Sequence, residues 1–260
     1  VSGELNAGWL VVAVPGLESG GGDYAPVAVA EGGAAVMRAG ADLNLTVPRL
    51  RVKTEEIRPA MAAAAAAISG RPADKLIMVG LTGTNGKTTT AYLMEAILGR
   101  AGLKPGVMGT INFRWPGGAC PAPNTTPEGP VINRCLSQMV DNGCRSAVME
   151  ISSHALALGR ISTLRFEAAL FTNLSRDHMD FHSDMEDYYQ AKKRLFTKYL
   201  KPGPARAVIN VDDEWGRKLA AELGEQALTF GFTSEAAVRG SNLKLSRGGI
   251  SLDIATTEQE

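Results

Sequence analysis

GLTGTNGKTTTAYLMEAIL, residues 80–98, decides how this chain is read, because it runs from a strand end through a glycine-rich turn into a helix start. Backbone N–H groups from Gly83 through Thr84, Asn85 and Gly86 to Lys87 can converge on phosphate oxygens. The helix that follows presents its positive end to the same charge. Lys87 is placed to neutralise the β/γ region of a polyphosphate, and Thr88 offers a hydroxyl to Mg²⁺. The full phosphate-loop pattern asks for glycine five residues before the Gly-Lys pair. Leu81 stands there, so the match is to a shorter GxxGK[ST] form carried by Gly83 and Gly86. The apolar run Leu76 to Leu81 before the loop and the periodic Leu93, Ile97 and Leu98 after it supply the strand and helix the motif needs. The plain alternative is a glycine-rich turn that holds no ligand.

Strands and helices alternate outward from this loop. A strand is predicted over Gly106 to Asn112, a Gly/Pro-rich loop over Trp115 to Pro130 and a helix over Val131 to Asn142. Further strands follow over Ser146 to Ile151 and Ala168 to Asn173, then a helix over Glu186 to Tyr199. Ala207 to Asn210, Leu228 to Phe232, Asn242 to Leu245 and Ile250 to Ala255 complete the strand set. Such alternation predicts a P-loop-type α/β domain with a mostly parallel sheet, whose ligands sit beyond the carboxyl ends of the strands. Before it, WLVVAV (9–14) reads as a strand, Pro15 to Asp23 as a loop and Val29 to Met37 as an alanine-rich helix ending at Gly40. Leu43 to Val52 can hold a strand and Arg58 to Ile68 a second helix, stopped at Ser69-Gly70. With Gly70 to Asp74 as a linker, the chain divides into a small α/β unit over 1–72 and a larger one over 73–260. The closing TTEQE offers no helix or cap, which suggests a chain cut inside its fold.

Composition narrows the partners. Lys plus Arg equals Asp plus Glu at 27 each, so no basic footprint for nucleic acid or an anionic membrane is present. Cys120, Cys135 and Cys144 lack paired CxxC spacing and read as reduced thiols. Apolar stretches such as Ala60 to Ile68 are too short to span a bilayer, and no signal pattern opens the chain. A soluble cytoplasmic protein is expected, without nucleic acid or membrane insertion.

Four segments concentrate polar chemistry. In AVMEISSHALALGR (147–160), Glu150 ends an apolar strand, where a carboxylate is costly unless it pairs or meets a metal. In LFTNLSRDHMDFH (170–182), Asp177, His178, Asp180 and His182 follow a strand. Glu150 and His178 are candidates to complete the Mg²⁺ surroundings begun at Thr88. His154 and His182 read either as structural or as functional, and Asp180 as a solvated turn residue or a ligand. Asn124, Thr125 and Thr126 in APNTTPEG either contact a polar ligand or cap the following helix. In YYQAKKRLF (188–196), Tyr189, Lys192 and Phe196 share a helical face; Lys192 either snorkels to the surface or is buried with a compensating partner.

Taken together, GTNGKTT (83–89), NTTPEG (124–129), MEISSHALALGR (149–160), FTNLSRDHMDFH (171–182) and YYQAKKRLF (188–196) resemble the Mur ligases of peptidoglycan synthesis in order and separation. Within them, the resemblance is to the branch acting on UDP-N-acetylmuramoyl-L-alanyl-D-glutamate. It covers residues 76–212 well, and WLVVAVPG (9–16) weakly resembles the family's amino-terminal UDP-binding domain. The resemblance implies that Gly83 through Thr89 bind ATP and that Glu150 and His178 join Thr88 on Mg²⁺. It implies that Asn124, Thr125, Thr126, Ser152 and Arg160 hold the UDP-muramyl dipeptide. Lys192 matches a lysine that takes up CO₂ to become N6-carboxylysine, which helps hold a second Mg²⁺. The implied reaction adds meso-diaminopimelate or L-lysine through an acyl phosphate, in a monomer. A serine-containing DSR-like start and a third, carboxyl-terminal domain with a DNPR motif belong to the family and are not in this sequence, so this chain alone is expected not to complete the reaction. Two other readings remain: a related amide ligase such as a folylpolyglutamate synthase, and a catalytically silent structural subunit.

Overall fold

The computed structural model describes residues 8–14, 24–39 and 44–256. The loop expected over Pro15 to Asp23, Gly40 and the last four residues, 257–260, lie outside them.

A small parallel sheet comes first. It contains β1 (Leu10–Ala13), then after helix α1 (Ala25–Ala30) the strand β2 (Ala35–Arg38), and β3 (Arg49–Arg51), in the order β1-β2-β3. The single helix expected over 29–37 is therefore wrong. Pro26 opens α1 in its first turn, where its missing N–H costs nothing, and Gly32 and Gly33 end the helix, freeing Ala35 to Arg38 to pair with Leu10 to Ala13. Helix α2 (Ile57–Ile68) follows as predicted and stops at Ser69 and Gly70. The expected linker is partly ordered, with a short 3₁₀ turn over Pro72–Lys75.

The large sheet grows from β4 (Ile77–Thr82), which feeds the glycine loop and helix α3 (Lys87–Arg100). It continues through β5 (Pro105–Met108), β6 (Asn112–Trp115), β7 (Gly118–Pro121), α4 (Gly129–Asp141), β8 (Ser146–Glu150), α5 (Ser153–Ala157) and β9 (Ala168–Phe171). Then come α6 (Met185–Arg194), β10 (Ala207–Asn210), α7 (Glu214–Leu223), β11 (Ala227–Gly231), β12 (Val238–Ser246) and β13 (Gly249–Thr256). The ten strands lie in the order β13-β12-β11-β10-β9-β4-β8-β5-β6-β7. Pairing is parallel from β12 through β5 and antiparallel at both margins.

Period-two alternation loads both faces of this sheet. Met78, Ala147 and Met149 point into the larger core with Phe113, Phe166, Phe171 and Phe196, while Val79, Leu81 and Val148 point to the other face against Ala91, Met94 and Leu98 of α3. Each large side chain buried this completely contributes ~1.5–3 kcal/mol of transfer free energy. Leu93 and Ile97, read from their period as part of a helix, do lie on α3 but are 60% and 61% exposed; the stripe of α3 that packs on the sheet runs through Ala91, Met94 and Leu98.

Three other expectations change. The loop over 115–130 contains β7, because Asn112 to Trp115 pairs antiparallel with Gly118 to Pro121 across a tight turn. The helix over 186–199 is α-helical only to Arg194 and continues as a π turn over Leu195–Tyr199. Helix α7 was not anticipated, although Asp213 caps it by accepting from the Gly216 N–H and Trp215, Leu219 and Leu223 recur at helical spacing.

Candidate active site

Because β5, β8, β4 and β9 are adjacent and parallel, their carboxyl ends form one rim. There the chain leaves β4 at Thr82, β8 at Glu150, β9 at Phe171 and β5 at Met108. Residues far apart in sequence thus meet on one edge.

The glycine loop is held from behind by the end of β9. Thr172 donates its hydroxyl to the Asn85 carbonyl at 2.6 Å, and the Asn173 side chain accepts from the Asn85 N–H at 3.0 Å. Gly83 sits at φ 143°, and a Cβ there would lie 1.9 Å from Thr172 Oγ1. Only glycine satisfies both the backbone angle and the close approach. Lys87 folds back over the loop, donating to the carbonyls of Gly83 at 2.9 Å and Thr84 at 2.8 Å. Burial lowers its pKa, and the fields of Glu150 and Asp177 oppose that, favouring the cation. Asn85 and Thr89 are exposed on the solvent side of the loop and first turn.

Glu150 is 1% exposed, yet its described hydrogen-bond donors are neutral. Oε2 accepts from the hydroxyls of Thr88 at 2.9 Å and Thr110 at 3.0 Å, and Oε1 from the Thr110 N–H at 3.2 Å. Its own carbonyl accepts from Thr126 Oγ1 at 2.9 Å, and Thr126 Oγ1 accepts in turn from the Ser152 N–H at 3.0 Å. Thr125 Oγ1 lies 3.1 Å from Thr110 Oγ1. Thr110 was not singled out from sequence; the signal available was the repeat of the strand-Gly-Thr pattern of Thr82-Gly83-Thr84 at Met108-Gly109-Thr110.

The loop at 124–129 differs from its sequence reading. Asn124 is exposed, but Thr126 is buried at 1%. Neither threonine caps α4, whose cap residue is Glu128, with no side-chain hydrogen bond to the helix's own N–H groups. Arg160 donates to the Thr126 carbonyl at 3.0 Å, and Arg160 Nε lies 3.0 Å from Glu128 Oε1. Ser152 caps α5 by accepting from the Ala155 N–H at 3.2 Å.

Lys192 does not snorkel. It is 1% exposed, donates to the Gly83 carbonyl at 2.9 Å and lies 4.5 Å above the Tyr188 ring. Burial and the nearby Lys87 push its pKa well below the ordinary lysine value, with Asp177 opposing.

The histidines form their own group. His178, at φ 55°, lies with its ring centroid 5.0 Å from His154 and 6.0 Å from Tyr188, whose hydroxyl is 3.3 Å from Thr84 Oγ1. His182 is buried with Nδ1 3.0 Å from Asp187. Burial, then His178 and His182, lower the pKa of His154. Among the described residues, no three His, Cys, Asp or Glu side chains are placed to hold one ion. The Thr88 hydroxyl and the Glu150 carboxylate nevertheless supply hard oxygen donors of the kind Mg²⁺ takes, together with water and phosphate oxygens.

Residues 81–260 match the Mur ligase middle domain. The chain belongs to the Mur ligase family. A Mur ligase relative from Geobacter metallireducens, UDP-N-acetylmuramoyl-L-alanyl-D-glutamate--2,6-diaminopimelate ligase, is 42% identical over 260 residues, covering 98% of this chain and 50% of the relative. The ligase of the same name from Gloeobacter violaceus is 42% identical over 251 residues, covering 96% and 50%. A solved ligase structure with that name superposes at a TM-score of 0.79 and 26% identity, over 97% of this chain and 52% of that one. A MurF ligase from Thermotoga maritima, in complex with ADP, shares the fold at a TM-score of 0.63 and 21% identity, over 97% and 54%. The chain spans about half the length of the curated relatives it matches.

Proposed function

We propose that this chain is part of an ATP-dependent ligase that adds meso-diaminopimelate, or L-lysine, to UDP-N-acetylmuramoyl-L-alanyl-D-glutamate in peptidoglycan synthesis. In this reading residues 1–72 are the UDP-substrate domain and 73–260 the ATP-binding central domain, working as a monomer in the cytoplasm, where its nucleotide substrates are found. The observation that carries the proposal is the buried Glu150 carboxylate, 2.9 Å from the Thr88 hydroxyl at the mouth of the glycine loop. Its carbonyl is held by Thr126 of the loop assigned to the muramyl substrate. Nucleotide and acceptor sites thereby share one residue.

The chemistry follows from these placements. A D-glutamate carboxylate oxygen attacks the γ-phosphorus of ATP, forming an acyl phosphate as the bond to ADP breaks; the incoming amine then attacks the acyl carbon and phosphate leaves. Backbone N–H groups from Gly83 to Lys87 and the α3 amino terminus bind the polyphosphate, and Thr89 borders it. Lys87 offsets charge on the transferring group. Mg²⁺, when bound, screens the phosphoryl oxygens, with Thr88, Glu150 and His178 as its proposed ligands. Neutral Lys192 attacks the carbon of CO₂ and releases a proton, giving a carbamate as a further metal ligand. Asn124, Thr125, Thr126, Ser152 and Arg160 are assigned to the acceptor substrate, Arg160 also bracing the Thr126 carbonyl. The ADP held by the Thermotoga maritima ligase of the same fold supports the nucleotide assignment.

Isothermal titration with Mg²⁺ and a non-hydrolysable ATP analogue tests this. Saturable binding is expected in the wild-type chain and not in Lys87→Ala; equal binding by both would remove the loop from the reaction.

A further inference from the structure

Glu150 presents a problem that the reading above leaves open. A buried carboxylate that is to meet a metal must be held in one orientation, and Thr88, its partner across the site, is itself a proposed metal ligand. What fixes Glu150 independently is the Gly109-Thr110 corner after β5. The Thr110 N–H reaches Oε1 at 3.2 Å and its hydroxyl reaches Oε2 at 3.0 Å, so one residue grips both carboxylate oxygens. That approach requires glycine before it, since a Cβ on Gly109 would lie 2.2 Å from Oε1.

Proton accounting extends the chain of contacts. An ionised carboxylate only accepts, and a hydroxyl has one proton to give. Thr110 commits its proton to Glu150, so across the 3.1 Å Thr110–Thr125 contact Thr125 must be the donor. Thr125 is then left with acceptor capacity only, suited to a peptide N–H and not to a carbonyl of the acceptor substrate.

We infer that Thr110 is a positioning residue of the ligase reaction: it orients Glu150 for the metal and, through Thr125, connects that carboxylate to the loop facing the peptide part of the substrate. This rests on the proposed function and adds a residue and a direction of hydrogen bonding to it.

The test titrates Mg²⁺ at fixed ATP analogue and reads the Mg²⁺ concentration for half-maximal nucleotide binding, beside thermal melting. Thr110→Val keeps the shape and the N–H and removes the hydroxyl. It is expected to raise that concentration about 10-fold, the lower end for outer-shell partners of metal ligands, with an unchanged Tm, since Thr110 is exposed. Thr110→Ser should restore the wild-type value. A Thr110→Val protein indistinguishable from wild type overturns the inference, as does a weakening that follows a fall in Tm and is not rescued by serine. Glu150→Gln separates the two levels. If it too leaves the Mg²⁺ requirement unchanged, the metal reading of the site fails; if it raises the Mg²⁺ concentration needed while Thr110→Val does nothing, only the role of Thr110 fails.

Discussion

Glu128 and Glu150 stand close to the same rim, and they are solvated in opposite ways. Glu128 lies between two guanidinium groups, Arg58 Nε at 3.1 Å and Arg160 Nε at 3.0 Å, with a third of its side chain exposed. Its charge is cancelled locally, and what it does is join α2 to the loop before α4. Glu150 is buried among two hydroxyls and an amide, all neutral, with Lys87 acting on it at longer range. Removing a carboxylate from water without an opposite charge in contact is expensive, so a fold that does so keeps that charge for something else. Partner charge, more than residue type or loop position, separates the strut from the candidate metal ligand.

Exchanging the charge at each position would break the comparison most directly. Glu150→Gln is expected to weaken Mg²⁺-dependent nucleotide binding by about 100-fold, at or beyond the top of the range for outer-shell changes. Glu128→Gln should leave it within about twofold, measured by the same titration; similar losses in both would erase the distinction. The next effect belongs to Gly83→Ala, where the new methyl would meet Thr172 Oγ1 at 1.9 Å in left-handed backbone. A loss of about 1–3 kcal/mol in urea unfolding is expected, with weakened nucleotide binding. Stability changes for Glu128→Gln should be smaller, about 1 kcal/mol or less, because its ion pairs are partly exposed to solvent.

Lys192 sharpens the same contrast from the cationic side. Its pKa is pushed well below the ordinary lysine value by burial and Lys87, so the unfolded chain binds this proton more tightly than the folded one. Stability therefore rises with pH between the folded and the unfolded pKa, and below the folded pKa the cost of the buried cation is constant. Lys192→Met should be more stable than wild type at neutral pH by an amount that shrinks as pH approaches 10.5, read from urea midpoints. A difference independent of pH would mean that the lysine is not paying for a buried charge.

Much of the fold was legible because it depends on short-range rules. The strands at Ala207 to Asn210 and Ser146 to Glu150, and the helix from Ile57 to Ile68 with its Ser-Gly stop, follow from apolar runs and local breakers. Misreadings arose where a local preference met a long-range partner. Alanine content favoured a helix over Val29 to Met37, but two glycines and the open edge beside β1 made Ala35 to Arg38 a strand. For Thr125 and Thr126 spacing left capping and ligand contact both open, because it shows the neighbouring helix and not the strand end across the site.

By itself the sequence determined the glycine-rich loop, the alternation of strands and helices, and the candidates Lys87, Thr88, Glu150 and His178, while Lys192 became a candidate only through the family resemblance. The first four rest on backbone angles, side-chain period or residue chemistry within a few positions. Tertiary structure alone decided that Lys192 is buried against the carbonyl of Gly83, 109 residues away, and that Thr110 grips Glu150, 40 residues away. The physical reason is the strand order: crossovers put β5, β8, β4 and β9 side by side with their carboxyl ends on one rim. Which hydroxyl or carbonyl meets which charge there is set by sheet register, a property of the whole domain that no local stretch of sequence carries.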